Sequence, residues 1–265
     1  MQLGLRFRFS ITRLALAAMI LLAGIGRSAE FSNEASHIEL LRKALEAQDK
    51  GRDEEAIGLY QQVIDGGHVN GHLFYNLGIS YYKVAKIGEA MAAFLAAKRY
   101  LPRHPDVLAN LKFVQTKILD KLDATRPDGF TSHLYSLTDW FTKKEIAYLA
   151  FFATIFVSTL TMIGIYNKKY RILALYGWIS FIVPCILCLF LLLKWMGDPR
   201  WGAIKAPEGA KVYSGPGDNH TLLFSLQVGA PVFLSGKDRQ NFVPIEISDG
   251  KKGWVSLSQV AFFGE

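Results

Sequence analysis

The sequence predicts a multidomain membrane protein that combines an all-α repeat array, a two-helix transmembrane hairpin and a C-terminal all-β barrel. Three observations predict this fold class. Residue patterns in the first half of the chain recur at a spacing of 34 residues. Two long apolar runs without charged residues follow. The last part of the chain alternates short apolar segments with Gly and Pro, which is typical of small β domains.

Composition and charge exclude a disordered chain and disfavour a nucleic-acid partner. Of the 265 residues, 51% are hydrophobic and 20% are charged, which is too apolar for intrinsic disorder. The net charge is +7. Residues 1–29 contribute +4 and residues 167–171 contribute +3, so the rest of the chain is balanced. The basic charge therefore indicates membrane topology, and we expect no binding to nucleic acid.

The N-terminal residues 1–29 have the pattern of a secretory signal peptide. Arg6, Arg8 and Arg13 precede a short apolar run, Leu14–Ile25, which is followed by small residues. An uncleaved N-terminal anchor is the alternative, because the small-residue cleavage site is ambiguous. Either reading places the following residues on the exported side of the membrane.

The two apolar runs predict transmembrane helices over residues 143–166 and 172–195. Each run exceeds the roughly 18 apolar residues that a bilayer crossing needs. The connecting residues 167–171 are basic and are expected to be cytoplasmic. Thr142 and Glu145 have the spacing of a capping box at the start of the first helix. We therefore expect a bacterial inner-membrane protein with two spans and both folded domains in the periplasm.

The 34-residue spacing points to a helical repeat. Ala56 and Tyr60 recur as Ala90 and Phe94. The second copy carries the fullest pattern, namely Phe74, Leu77, Gly78, Tyr81, Ala90, Phe94, Ala97 and Pro102. This pattern resembles the tetratricopeptide repeat, with Phe74 in place of the usual Trp. The resemblance implies a repeat array over residues 37–122, a linker over 123–142, and a role in binding and not in catalysis.

The same resemblance implies a concave groove lined by the first helix of each repeat. Carried over to this sequence, the candidate partner-binding residues are His72, Tyr75, Ile79, Tyr82 and Phe113. Such a groove suits a helix or an extended apolar peptide. The alternative is that the aromatic members pack inside a short helical stack and bind nothing.

Residues 201–265 predict the all-β domain. Asp249-Gly250 followed by Gly253-Trp254-Val255 predicts a hairpin turn that leads into a strand. Together with the earlier Gly215-Pro216 turn, these residues resemble the bacterial SH3-like domain. The resemblance implies docking to cell-wall glycopeptide or to a protein, with Tyr213 and Trp254 as surface candidates. Trp254 as a core residue is the alternative.

No residue pattern points to catalysis, to a cofactor or to a metal site. The six histidines lie at scattered positions along the chain. The two cysteines, Cys185 and Cys188, lie inside the second apolar run, where a reactive thiolate is disfavoured. We therefore expect that the protein is not an enzyme.

The order of signal peptide, repeats, transmembrane hairpin and SH3-like domain resembles the BatE family of the Bacteroides-aerotolerance operons. The resemblance implies membrane-anchored von Willebrand factor A proteins and a MoxR-type ATPase system as partners in aerotolerance or envelope stress. The leading hypothesis is a non-enzymatic scaffold that presents two interaction modules near membrane lipid. The alternative is a cell-envelope anchor whose SH3-like domain binds peptidoglycan.

Overall fold

The computed structural model describes residues 36–118, 140–166, 182–196 and 200–263. The predicted signal peptide and cytoplasmic loop lie outside these residues, as do most of the predicted linker and the first part of the second span. The described residues fall into two compact units, one up to Val69 and one from Asn70 onward.

The first unit contains two helices, α1 over residues 36–49 and α2 over Asp53–Asp65. The turn between them passes through Gly51, whose φ of 72° lies in the left-handed region that favours glycine. The hydroxyl of Tyr60 donates a hydrogen bond of 3.0 Å to the side-chain oxygen of Gln48. This bond satisfies a polar group on a side chain that is otherwise fully buried.

The second unit begins with three helices that pack on one another: α3 (Gly71–Lys83), α4 (Ile87–Tyr100) and α5 (Pro105–Gln115). The contact between α3 and α4 depends on Gly78. A Cβ atom at this position would lie 2.8 Å from the ring of Phe94, so a larger residue would push the helices apart.

A seven-stranded antiparallel sheet follows in the same unit. Its strands, in chain order, are β1 (Arg200–Ile204), β2 (Ala210–Tyr213), β3 (Leu222–Leu226), β4 (Pro231–Leu234), β5 (Phe242–Glu246), β6 (Lys252–Ser256) and β7 (Val260–Phe262). Their order in the sheet is β3-β2-β6-β5-β4-β1-β7. The hairpin predicted at Asp249-Gly250 is present between β5 and β6, and Gly250 has a φ of 83°.

The predicted closed barrel is wrong, because this sheet is open, with β3 and β7 at its two edges. Fully buried Ile204, Val212, Val232 and Val255 form the centre of the apolar core of the sheet. The short strand β7 pairs with β1 and packs against helix α4. Helix α4 thus packs against the two strands at this end of the strand order, β1 and β7.

The predicted independent all-α repeat array is also wrong, because α4 shares one core with the sheet. This helix packs against β1 and β7 as well as against α3 and α5. A Cβ atom at Gly88 would come within 2.5 Å of the Cα atom of Lys205. Directly after β7, the neighbour of β1, the ring of Phe263 lies 5.8 Å from Phe74 and 6.2 Å from Tyr81 of α3.

The physical reason for this correction lies in α4 itself. Residues 90–97 of α4 are all buried. A helix that is apolar on every side needs apolar partners on every side, and two neighbouring helices of a short stack cannot supply them. The sheet covers the side that α3 and α5 leave open.

The prediction of a two-helix transmembrane hairpin is corrected as well. Among the described residues, one helix is long and apolar enough to cross a membrane, namely α6 (Lys143–Tyr166), over Lys143–Ile163, with a mean hydropathy of 2.0. The next helix, α7 (Ile182–Met196), packs against α6, but its apolar part, Ile182–Leu192, is shorter than a bilayer crossing.

The capping box predicted at the start of α6 is confirmed. The backbone N–H of Thr142 donates to Glu145 at 2.8 Å, and the backbone N–H of Glu145 donates to the hydroxyl of Thr142 at 3.2 Å. Glu145 also forms an ion pair with Arg103, whose guanidinium lies 5.6 Å from the ring centre of Phe141. The start of α6 is thereby joined to the turn between α4 and α5.

Candidate protein-interaction groove

The surface between α3 and α5 carries the predicted partner-binding residues. The side chain of Asn70 caps α3 by accepting a 2.9 Å hydrogen bond from the backbone N–H of Leu73. Four candidates lie on α3 at helical spacing and follow one face: His72, Tyr75, Ile79 and Tyr82. His72 is exposed and the other three are half-buried.

Helix α5 supplies the opposite side of this surface, which we call the α3–α5 groove. Phe113 is 47% exposed, and its ring meets that of Tyr82 edge to face at a centroid distance of 5.5 Å. The ammonium of Lys117 lies 5.4 Å from the ring centre of Phe113. The structure therefore places Tyr82 and Phe113 in direct contact, with apolar surface still accessible.

Tyr75 occupies the other end of the groove. Its hydroxyl accepts a 3.2 Å hydrogen bond from the side-chain amide of Asn110, which also donates to the carbonyl of Asp106. Partial burial and the nearby charge of Asp106 raise the pKa of Tyr75, so its phenol stays protonated at neutral pH. Tyr75 therefore presents a positioned neutral hydroxyl at the edge of an aromatic surface.

Two histidines complete this end of the groove. The rings of His72 and His104 meet edge to face at 5.6 Å, and the ring of Tyr75 lies 6.2 Å from that of His104. His104 and Asn110 were missed as site residues by the sequence analysis. The sequence did hold one signal for His104. Pro105 is a proline at the first position of a helix, so His104 is expected at the N-cap of α5.

The exposed groups of the α3–α5 groove are both apolar and polar. The groove offers aromatic faces for apolar contact and hydroxyl, amide and imidazole groups for orientation. Among the described residues, no cluster of three or more His, Cys, Asp or Glu could hold a metal ion.

The second predicted surface lies on the sheet. Tyr213 of β2 is opposite Trp254 of β6, and Trp254 is in turn opposite Pro244 of β5. All three side chains are half-buried, so Trp254 is neither a fully buried core residue nor a fully exposed one. Partial burial and the carboxylate of Asp218 raise the pKa of Tyr213. Directly opposite residues of paired strands share one face of a sheet, so these rings form a continuous row.

No protein-family model matches the chain, and no curated protein matches it.

Proposed function

We propose that the protein is a non-enzymatic, membrane-associated adaptor that captures a segment of a partner protein in the α3–α5 groove. The observation that carries this proposal is the contact of Tyr82 with Phe113, because large aromatic side chains that are held in place and partly exposed are the residues that most often dominate binding energy. The fixed hydroxyl of Tyr75 would orient the bound segment.

The membrane association rests on α6. Within its apolar stretch Lys143–Ile163, only 17% of the most apolar 18-residue segment is buried against the rest of the chain. An apolar helix with so much exposed surface needs a non-aqueous environment. We propose the bacterial inner membrane, with the folded domain on the periplasmic side. Because α3–α5 and the sheet share one core, they lie on the same side of that membrane.

The resemblance to the BatE family suggests the class of partner. We propose membrane-anchored von Willebrand factor A proteins that act with a MoxR-type ATPase system in aerotolerance or envelope stress. Two proteins confined to one membrane meet at a raised effective concentration, so a contact of about micromolar affinity suffices for capture.

The double substitution Tyr75→Ala and Tyr82→Ala is expected to reduce partner capture at least about tenfold, because each removes an aromatic contact of the size found at binding hot spots. The measurement is crosslinking in living cells, purification in mild detergent and quantitative mass spectrometry of the recovered proteins. The control is Leu222→Ala with Leu223→Ala, a double substitution that truncates two exposed side chains of β3 outside both candidate surfaces. Unchanged recovery with the groove variant would contradict the groove assignment.

A cell-envelope anchor that binds peptidoglycan is the second candidate function. The observation in its favour is the half-buried row of Tyr213, Trp254 and Pro244, since aromatic faces are suited to stacking on sugar rings. Co-sedimentation of the full-length protein with purified sacculi tests it. Loss of sedimentation with Trp254→Ala, but not with Tyr82→Ala, would favour the anchor over the adaptor. The full chain is required because the sheet shares its core with α4.

A further inference from the structure

A cavity of about 470 Å³ lies between the start of α6 and the second half of α7. This volume falls within the range of small-molecule sites, roughly 300–1,000 Å³. The cavity is lined by Lys143, Lys144, Ala147, Cys188, Leu191 and Leu192. Lys143 and Lys144, the first two residues of α6, line it mainly through their aliphatic chains, and the other four lining side chains are apolar or weakly polar.

Aromatic residues surround the start of α6. Trp140 is 63% exposed and Phe141 is 37% exposed, and Tyr148 in the second turn of α6 is also exposed. Exposed Trp and Tyr side chains beside the end of an apolar helix are typical of the membrane–water interface. With α6 in the membrane, the cavity therefore lies where lipid headgroups meet acyl chains.

We propose that this cavity is a binding site for one anionic phospholipid. The lipid phosphate contacts the ammonium groups of Lys143 and Lys144, and an acyl chain lies along Ala147, Leu191 and Leu192. This inference rests on the proposed membrane placement of α6 and is independent of the α3–α5 groove. Basic pockets between membrane helices favour the headgroups of anionic lipids on the cytoplasmic or matrix side of membranes, and we extend the same chemistry to the periplasmic face.

Within the described residues at the start of α6, the nearby charges favour an anion. The one carboxylate in the first turn of α6, Glu145, is paired with Arg103 and is therefore neutralised locally. The backbone N–H of Glu145 is bonded to Thr142, so the lysine side chains provide the anion contact and not the open end of the helix. The apolar wall distinguishes a lipid from soluble phosphate, because a free anion leaves that wall exposed to water.

The test is a lipid titration of the full-length protein, purified in neutral detergent and stripped of lipid, followed by native mass spectrometry. We expect one molecule of phosphatidylglycerol to bind about tenfold more tightly than phosphatidylcholine, because each lysine near a lipid phosphate favours the anionic lipid. Lys143→Ala with Lys144→Ala is expected to abolish the preference, and Lys143→Arg with Lys144→Arg to retain it. The matched control, Lys251→Ala with Lys252→Ala, removes the same charge from the sheet and is expected to bind like the wild type.

Equal binding of the two lipids, or wild-type preference in the Lys143→Ala, Lys144→Ala variant, would overturn the site. Displacement of bound phosphatidylglycerol by an equal concentration of glycerol phosphate would show a simple anion site and would also overturn it.

Flotation with phosphatidylcholine vesicles separates failure of the lipid site from failure of the membrane placement of α6. Protein that floats without lipid preference refutes only the site, whereas protein that does not float refutes both.

Discussion

Replacing Gly88 with Ala is expected to lower the free energy of unfolding by about 2 kcal/mol, within the range for overpacked cores. The added Cβ atom would meet the backbone of Ile204, the last residue of β1, and of Lys205, which follows it. Backbone atoms cannot rotate away as a side chain can, so α4 and the sheet must separate slightly. This loss outweighs the roughly 1 kcal/mol that Ala gains over Gly in a helix.

The matched control is Gly58→Ala in α2, where an added Cβ atom has no neighbour within 4 Å. There the helix preference acts alone, and a gain of up to about 1 kcal/mol is expected. Chemical unfolding in detergent, followed by circular dichroism, measures both variants. A Gly88→Ala protein as stable as the wild type would contradict the packing of α4 on β1.

Replacing Phe94 with Ala is expected to cost about 3–5 kcal/mol, as is typical when a buried aromatic side chain is truncated. Phe94 is 1% exposed, its ring fills the space beside Gly78, and it lies 6.1 Å from the ring of Tyr75. The cavity left behind would loosen α3 against α4. We therefore expect weaker partner capture as a secondary effect, since the groove residues of α3 lose their support.

Phe113→Ala is the informative comparison for Phe94→Ala. The same type of side chain is removed, but Phe113 is 47% exposed, so the expected loss of stability is below about 1 kcal/mol. Partner capture should nevertheless fall, because Phe113 forms part of the groove surface. If Phe113→Ala proved as destabilising as Phe94→Ala, Phe113 would be a core residue and the groove assignment would fail.

The sequence was sufficient to predict the features that depend on neighbouring residues. The capping box of Thr142 and Glu145 and the hairpin at Asp249-Gly250 each follow from local residue types. Tyr82 and Phe113 were both among the predicted groove residues, but their direct contact was not predicted.

The features that were not predicted depend on contacts between distant parts of the chain. Gly88 and Ile204 are far apart in the sequence, so no local pattern shows that α4 packs on β1. One signal was available, because the run Ala90–Ala97 is apolar on every face of its helix. The openness of the sheet likewise has no local signal, because the hairpin-turn pattern is the same in an open sheet and in a barrel.

The most direct test of the proposed adaptor function is site-specific photocrosslinking in living cells. A photoreactive phenylalanine analogue at Ile79 would lie on α3 between Tyr75 and Tyr82, and the same analogue at Leu222 on β3 serves as the exposed control. The account predicts a discrete crosslinked partner from position 79 that disappears with Phe113→Ala and is absent from position 222. The same adducts from both positions, or an adduct at position 79 that persists with Phe113→Ala, would contradict capture in the α3–α5 groove.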